Sequence, residues 1–206
     1  MAPLKGVNRK WLKDFLPTIN NTTNKGIKSI IKKLSIEKVT ITSEDIGFKI
    51  APLINAVGRI GDPKVIIDLL TSESSESIDK LTDVCFAINS ERKRITALIE
   101  KEALEIALHE FNIDRKFLVI SKGDWHPGVI GIIASKIVDK FNLPTAILSL
   151  GNDGIFRGSI RSNKHLKVNL ALDECSDLLI SHGGHSAAAG FSIKEENICQ
   201  LKERLD

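Results

Sequence analysis

The stretch FLVISKGDWHPGVIGIIASKIVDKFNLPTAILSL, residues 117–150, decides the fold. Phe117 to Ile120 form a short apolar run that stops at Lys122-Gly123, the grammar of a buried strand. Val129 to Phe141 place Ile132, Ile133, Ile137 and Val138 at helical spacing, and Thr145 to Leu150 are again a strand. A β-α-β order implies a right-handed crossover and two parallel strands. Further on, Ile155 to Ile160 read as a third strand, Val168 to Ile180 as a helix, Ala187 to Ile193 as a strand and Glu195 to Leu205 as a closing helix. The class is α/β, with a small mixed sheet in the C-terminal half.

Upstream, the pattern is helical. Asn8 to Leu16 form a short amphipathic helix with Trp11, Leu12 and Phe15 on one side, and a second helix runs from about Lys25 to Leu34. Ser43-Glu44-Asp45 opens another, and Asp62-Pro63 caps and starts the next. The island Asn55-Ala56-Val57-Gly58-Arg59 reads as irregular. Between Thr71 and Gly123 there is neither Gly nor Pro. Ile78, Leu81, Cys85, Ile88, Ile95, Ile99, Ala103 and Ile106 recur there at three- to four-residue steps in the main, as one bent helix or two connecting two domains. The expected divisions are 1–72, 73–112 and 113–206.

The 206 residues are 42% hydrophobic and 27% charged, ordinary for a globular protein. No apolar run reaches the roughly 18 residues of a membrane span. The chain is expected to be soluble and intracellular. Net charge is only +3, but residues 1–40 carry nine Lys and Arg against two acids. Such a segment either neutralises phosphates or is simply a solvated basic face. Cys85, Cys175 and Cys199 lack metal or disulfide spacing and are expected to be buried thiols.

A second stretch carries the chemistry. In Ser181-His182-Gly183-Gly184-His185-Ser186-Ala187-Ala188-Ala189-Gly190 the paired glycines let an anion approach the main chain, and His185 adds a directional donor. Trp125-His126-Pro127-Gly128 lies between a strand and a helix, where α/β sheets bind ligands and where the helix N-terminus favours anions. His126 there either faces phosphate or positions its domain. Arg157, Ser159 and Arg161 alternate along a strand, so they leave one face and can grip a terminal phosphate.

With these islands in this order, the chain resembles the RecJ family of single-strand-specific DNA exonucleases, within the DHH phosphoesterase superfamily. The GGHSAAAG segment marks the small domain that accompanies the DHH domain, and WHPGVIGIIAS with NAVGR narrows the match. The resemblance implies the helical end of a DHH domain over 1–72, a long connecting helix over 73–112 and a substrate-binding α/β domain over 113–206. It implies that Arg59, His126, Ser159, Arg161, Gly183, Gly184 and His185 bind substrate, with His185 contacting the substrate phosphate, in the cytoplasm of a bacterium or, as the alternative, an organelle of bacterial descent.

The implied activity is 5′–3′ hydrolysis of single-stranded DNA in repair and recombination. The implied partner is single-stranded DNA with a 5′ phosphate, and the intact family enzyme uses two divalent metals, Mn or Mg. Here the sequence departs from the pattern. It has no Asp-His-His triplet, and His109, His126, His165, His182 and His185 are scattered. The chain is therefore expected to hold no metal, to be inactive alone and to work with a missing N-terminal DHH half. Two alternatives stand beside this: a noncatalytic nucleic-acid-binding module, or an oligoribonuclease or cyclic-dinucleotide phosphodiesterase relative.

Overall fold

The computed structural model describes residues 4–36, 40–111, 115–163 and 166–206. Outside the described residues lie Met1 to Pro3, Glu37 and Lys38 of the basic segment, the expected boundary at 112/113, and His165. The chain divides into two compact units, Met1–Arg92 and Lys93–Asp206. Both include part of one helix, α6 (Ser75–Glu110), whose 36 residues span about 54 Å. It is a single helix, so the connector is one element that lends a half to each unit.

The first unit is helical. After α1 (Gly6–Phe15) and a 3-10 turn (Leu16–Asn21), α2 (Lys25–Lys33) starts at Asn24, whose Oδ1 accepts the Ile27 N–H at 2.9 Å. The same side-chain amide donates to the Leu70 carbonyl at 2.8 Å, tying α2 to α5 (Lys64–Thr71). A capping box between Thr42 and Asp45 opens α3 (Ser43–Asp45), which continues through a π turn (Ile46–Ile50) into α4 (Ala51–Ile60). Ile30, Leu53, Val57, Leu69, Ile78 and Cys85 form the core.

The NAVGR island is helical, contrary to its reading as irregular. Pro52 suits the first turn of α4, and Leu53, Ala56 and Val57 bury one face. That burial outweighs the roughly 1 kcal/mol that Gly58 costs a helix. Arg59 consequently sits in the last turn of α4 rather than in a loop.

The second unit is a five-stranded mixed sheet in the order β1-β2-β3-β5-β4. β1 (Leu118–Ser121) and β2 (Thr145–Leu150) are parallel through α7 (Ile130–Phe141), as the β-α-β pattern requires. β3 (Phe156–Arg161), β5 (Ala188–Ile193) and β4 (Leu179–His185) follow antiparallel. On one face Phe117, Val119, Leu148, Ile160 and Phe191 pack with α8 (Val168–Glu174) and α9 (Ile198–Leu205). On the other, α7 lies across β2 and β3.

Two expectations fail here. The helix expected over Val168–Ile180 ends at Glu174, followed by a 3-10 turn and then β4. Val168, Leu172, Cys175 and Leu178 are all buried, which mimics one helical face. Beyond them, pairing with β5 wins, and Gly183-Gly184 would have weakened any helix. Cys199 is exposed, because only Leu201 among the residues of α9 is buried.

Candidate functional site

Strand pairing in the second unit aligns the predicted residues in two adjacent rows. Thr145, Arg161, Ala188 and His185 make one row across β2, β3, β5 and β4, and Ile147, Ser159, Gly190 and Gly183 make the next. Both rows face the side that carries α7, since residues two apart on a strand share a face. Gly131 in the first turn of α7 marks the contact: a Cβ there would stand 2.8 Å from Arg161 Nη2 and 2.9 Å from Ser159 Oγ.

Arg161 is folded back along its own strand. Its Nη1 donates to Ser159 Oγ at 3.0 Å and to the Ile160 carbonyl at 2.7 Å. The guanidinium and the hydroxyl are thus held beside the N-terminal turn of α7, where unpaired N–H groups and the helix dipole favour an anion. Beyond them the next row of the sheet continues through two glycines, Gly190 and Gly183, which carry no side chains. Gly183, Gly190 and His185 are exposed. A Cβ added at Gly183 meets nothing within 4 Å, and at Gly190 only the Gly158 carbonyl oxygen at 3.7 Å. Arg161 and Ser159, a glycine floor and His185 therefore line one shelf suited to a phosphate and its flanking sugar.

Gly184 has a different task. Its φ is +150°, and a Cβ would lie 2.4 Å from Ala189 Cα and 2.5 Å from the Ala188 carbonyl oxygen. Its bareness permits strand pairing, whereas Gly183 and Gly190 keep the floor open. The connection after His185 is two residues long, and both of its carbonyls are used: Ser186 accepts from Val168 N–H at 3.0 Å and Ala187 from Ser162 N–H at 3.1 Å.

The loop before α7 is anchored from beneath. Trp125 is only 3% exposed, and its Nε1 donates to Glu102 Oε2 of α6 at 2.8 Å. Lys122 Nζ donates to the same oxygen at 2.8 Å. These bonds, that from Lys122 first and that from Trp125 second, hold the Glu102 carboxyl below its usual range; the Glu102 bond likewise raises Lys122. Half-buried His126 accepts the Gly128 N–H on Nδ1 at 3.0 Å, so its neutral ring carries the proton on Nε2 and presents a donor there.

Of the other candidates, Arg157 pairs with Asp153 at 2.6 Å. His182 bonds Asp173 at 3.0 Å. Arg59 belongs to the first unit, where it lines a cavity with Asn55, Gly58 and Pro63. Burial, then the charge of Arg59, lowers the Arg92 guanidinium there. Sequence reasoning missed Gly131, Gly190 and Glu102. A lone glycine within the apolar helical pattern was the available signal for Gly131, while Glu102 had none. Among the described residues, no group of three or more His, Cys, Asp or Glu is placed to hold a metal ion. No helix of the described residues is long and apolar enough to cross a membrane.

Comparison with known proteins agrees with this architecture. Residues 114–206 match the DHHA1 domain model. All of the chain aligns at 35% identity with 26% of a single-stranded-DNA-specific exonuclease RecJ of Bacillus subtilis, and at 30% with 37% of the RecJ of Dickeya dadantii. The crystal structure of RecJ in complex with Mg2+ from Thermus thermophilus superposes with a TM-score of 0.87 at 28% identity, covering 99% of this chain and 31% of that one. A crystal structure of exonuclease RecJ bound to manganese gives a TM-score of 0.80 at 28% identity, over all of this chain and 50% of that one. The chain thus spans about a quarter to a half of the length of these relatives. Residues 114–206 are thus a DHHA1 domain, and the chain is similar over its whole length to a part of the RecJ exonucleases.

Proposed function

We propose that this chain is the substrate-binding part of a RecJ-like 5′–3′ single-stranded-DNA exonuclease, serving repair and recombination in a bacterial-type cytoplasm. The observation that carries the reading is the shelf on which Arg161, Ser159 and the first turn of α7 meet an open glycine floor leading to His185. Arg161 and Ser159 take the terminal 5′ phosphate, and His185 contacts it or the next phosphate from the far side. Gly183 lets the strand lie against the sheet. His126 contributes its Nε2 donor, and Arg59, within the first unit, is a separate substrate contact.

Metal-assisted hydrolysis, as in the intact family enzyme, is assigned to residues of a DHH half that this chain does not supply. Alone, the chain binds and does not cut. The test is titration of a labelled oligonucleotide with and without a 5′ phosphate. The parent should prefer the phosphorylated end, and Arg161→Ala should erase the preference; equal affinity for both ends in the parent defeats the reading. Steady manganese-dependent release of nucleotides by the purified chain would defeat the division of labour.

A further inference from the structure

The polar side of α2 has more charge than its packing uses. Lys25, Ser29 and Lys32 recur at four and three residues, with Lys28 beside them, along one stripe of the helix. Lys25 is engaged: its Nζ meets Glu73 Oε2 at 2.6 Å and the Glu73 carbonyl at 2.9 Å. Ser29 shares a hydrogen bond with Thr82 of α6 at 2.9 Å. The side chains of Lys28 and Lys32, both exposed, make no ion pair or hydrogen bond among the described residues. Both border a cavity of about 490 Å³ between α2, the 3-10 turn and the first turns of α6. That size is within the roughly 300–1,000 Å³ of small-ligand sites.

The walls have two characters. Ile19, Ile31, Ile41 and Ile78 form an apolar side, and the last three are buried in the core of the first unit. Lys28, Lys32, Thr22 and Asn20 supply cationic and neutral polar groups, and Asp79 supplies the one acid of the lining, without a basic partner among the described residues. With Lys25 neutralised by Glu73, the two remaining lysines exceed Asp79 by one positive charge among the described residues of the lining. A ligand that suits this has a flat apolar body, a single phosphate group and a hydrogen-bond donor from which Asp79 can accept. A triphosphate brings too much charge for Asp79, and a plain hydrocarbon leaves the lysines unused.

We propose that this cavity binds a nucleoside carrying a single phosphate, with Lys28 and Lys32 on the phosphate and the base against the isoleucines. Such a group comes either as a free nucleoside monophosphate or as one unit of a nucleic-acid strand. The site shares no residue with the glycine floor and does not depend on that reading.

Calorimetric titration of the full chain with thymidine 5′-monophosphate, and separately with a short oligothymidylate lacking a 5′ phosphate, tests it. Arg161→Ala is the background that silences the floor. In that background one saturable site should remain, and Lys28→Ala/Lys32→Ala should weaken it about tenfold or more, with Lys28→Arg/Lys32→Arg restoring part of the loss. Binding of the monophosphate identifies a free nucleotide as occupant, and binding of the oligonucleotide alone identifies a strand. Both lysines are exposed, so the fold should survive, with circular dichroism as the check. No remaining site in Arg161→Ala, or affinity unchanged by losing both lysines, overturns the proposal. Loss of all binding with the lysines and none with Arg161 overturns the floor instead and leaves the cavity standing.

Discussion

Arg161 and His185 stand on the same row of the sheet, two strands apart, with Ala188 of β5 paired to both. Their Cα atoms are therefore about 10 Å apart, two strand spacings. A single methyl group lies between a guanidinium and an imidazole. In the next row Ser159 and Gly183 are related in the same way through Gly190, which has no side chain at all. The spacing between the two polar ends comes from strand pairing, so it is as rigid as the sheet.

Arg161→Ala should lower affinity for a 5′-phosphorylated oligonucleotide by about 1.5 to 3 kcal/mol, the usual worth of a charge-assisted hydrogen bond. Arg161→Lys should recover only part of it, because an ammonium cannot bond a phosphate through a planar fork while also reaching Ser159. Fluorescence anisotropy on all three chains measures both effects. Full recovery by lysine would mean that charge alone matters.

Gly131→Ala should move stability and binding in opposite directions. Alanine is favoured over glycine in a helix by about 1 kcal/mol, and the atoms it meets are the ends of movable side chains. The helix should melt no earlier. Arg161 and Ser159 must give way, however, so phosphate affinity should fall several-fold. Paired thermal melts and titrations decide this, and unchanged affinity would remove Gly131 from the site.

The glycines of the hairpin should separate into two kinds. Gly190→Val projects into open space on the floor and should weaken oligonucleotide binding with a modest change in melting temperature. Gly184→Ala must push against the β5 backbone at a positive φ and should destabilise the domain by about 1–3 kcal/mol. Chemical denaturation of both variants tells them apart; a normally stable Gly184→Ala would show that the hairpin yields easily.

Glu102 predicts the acid limb of stability. Its carboxyl is depressed below the ordinary 4.5 by the bonds from Lys122 and Trp125. Its contribution is therefore fully present above that value and lost as pH falls through the lower, folded value. Lys122, raised above 10.5, behaves in the opposite sense and loses its share as pH rises through its folded value. Glu102→Gln should flatten the fall in melting temperature below about pH 4.5 while leaving the curve near pH 7 parallel to the parent. Thermal melts across that range are the check, and an unchanged acid limb would dismiss the anchor.

The β-α-β half of the second unit was readable from Phe117 to Leu150 because strand and helix periods alternate there without ambiguity. β4 was not. Its apolar residues continue the helical face of Val168, Leu172 and Leu178, and its identity as a strand comes from partners on β5 that no local pattern announces. The same holds for the site. Period two along β3 already put Arg161 and Ser159 on one face, and the residue types of Gly183 and His185 suggested an anion. What a one-dimensional reading could not supply was register, which separates the task of Gly184 from that of Gly183. The helical state of Arg59 was hidden by a glycine and an asparagine whose cost core burial in α4 overrides.

The two-residue connection between His185 and Ala188 makes length, more than chemistry, its inherited constraint. Ser186-Ala187 has none of the Asn-Gly character of a tight hairpin, and neither residue has a positive φ. Val168 and Ser162 clasp its two carbonyls instead. Side chains at 186 and 187 can therefore drift freely among small residues. A single inserted residue would break both clasps and, by shifting one strand by one position, turn His185 and Gly183 to the opposite face of the sheet. Across a lineage, substitutions should accumulate at this tip while insertions and deletions stay rare, a signature of register that counting the gaps in related genes would expose.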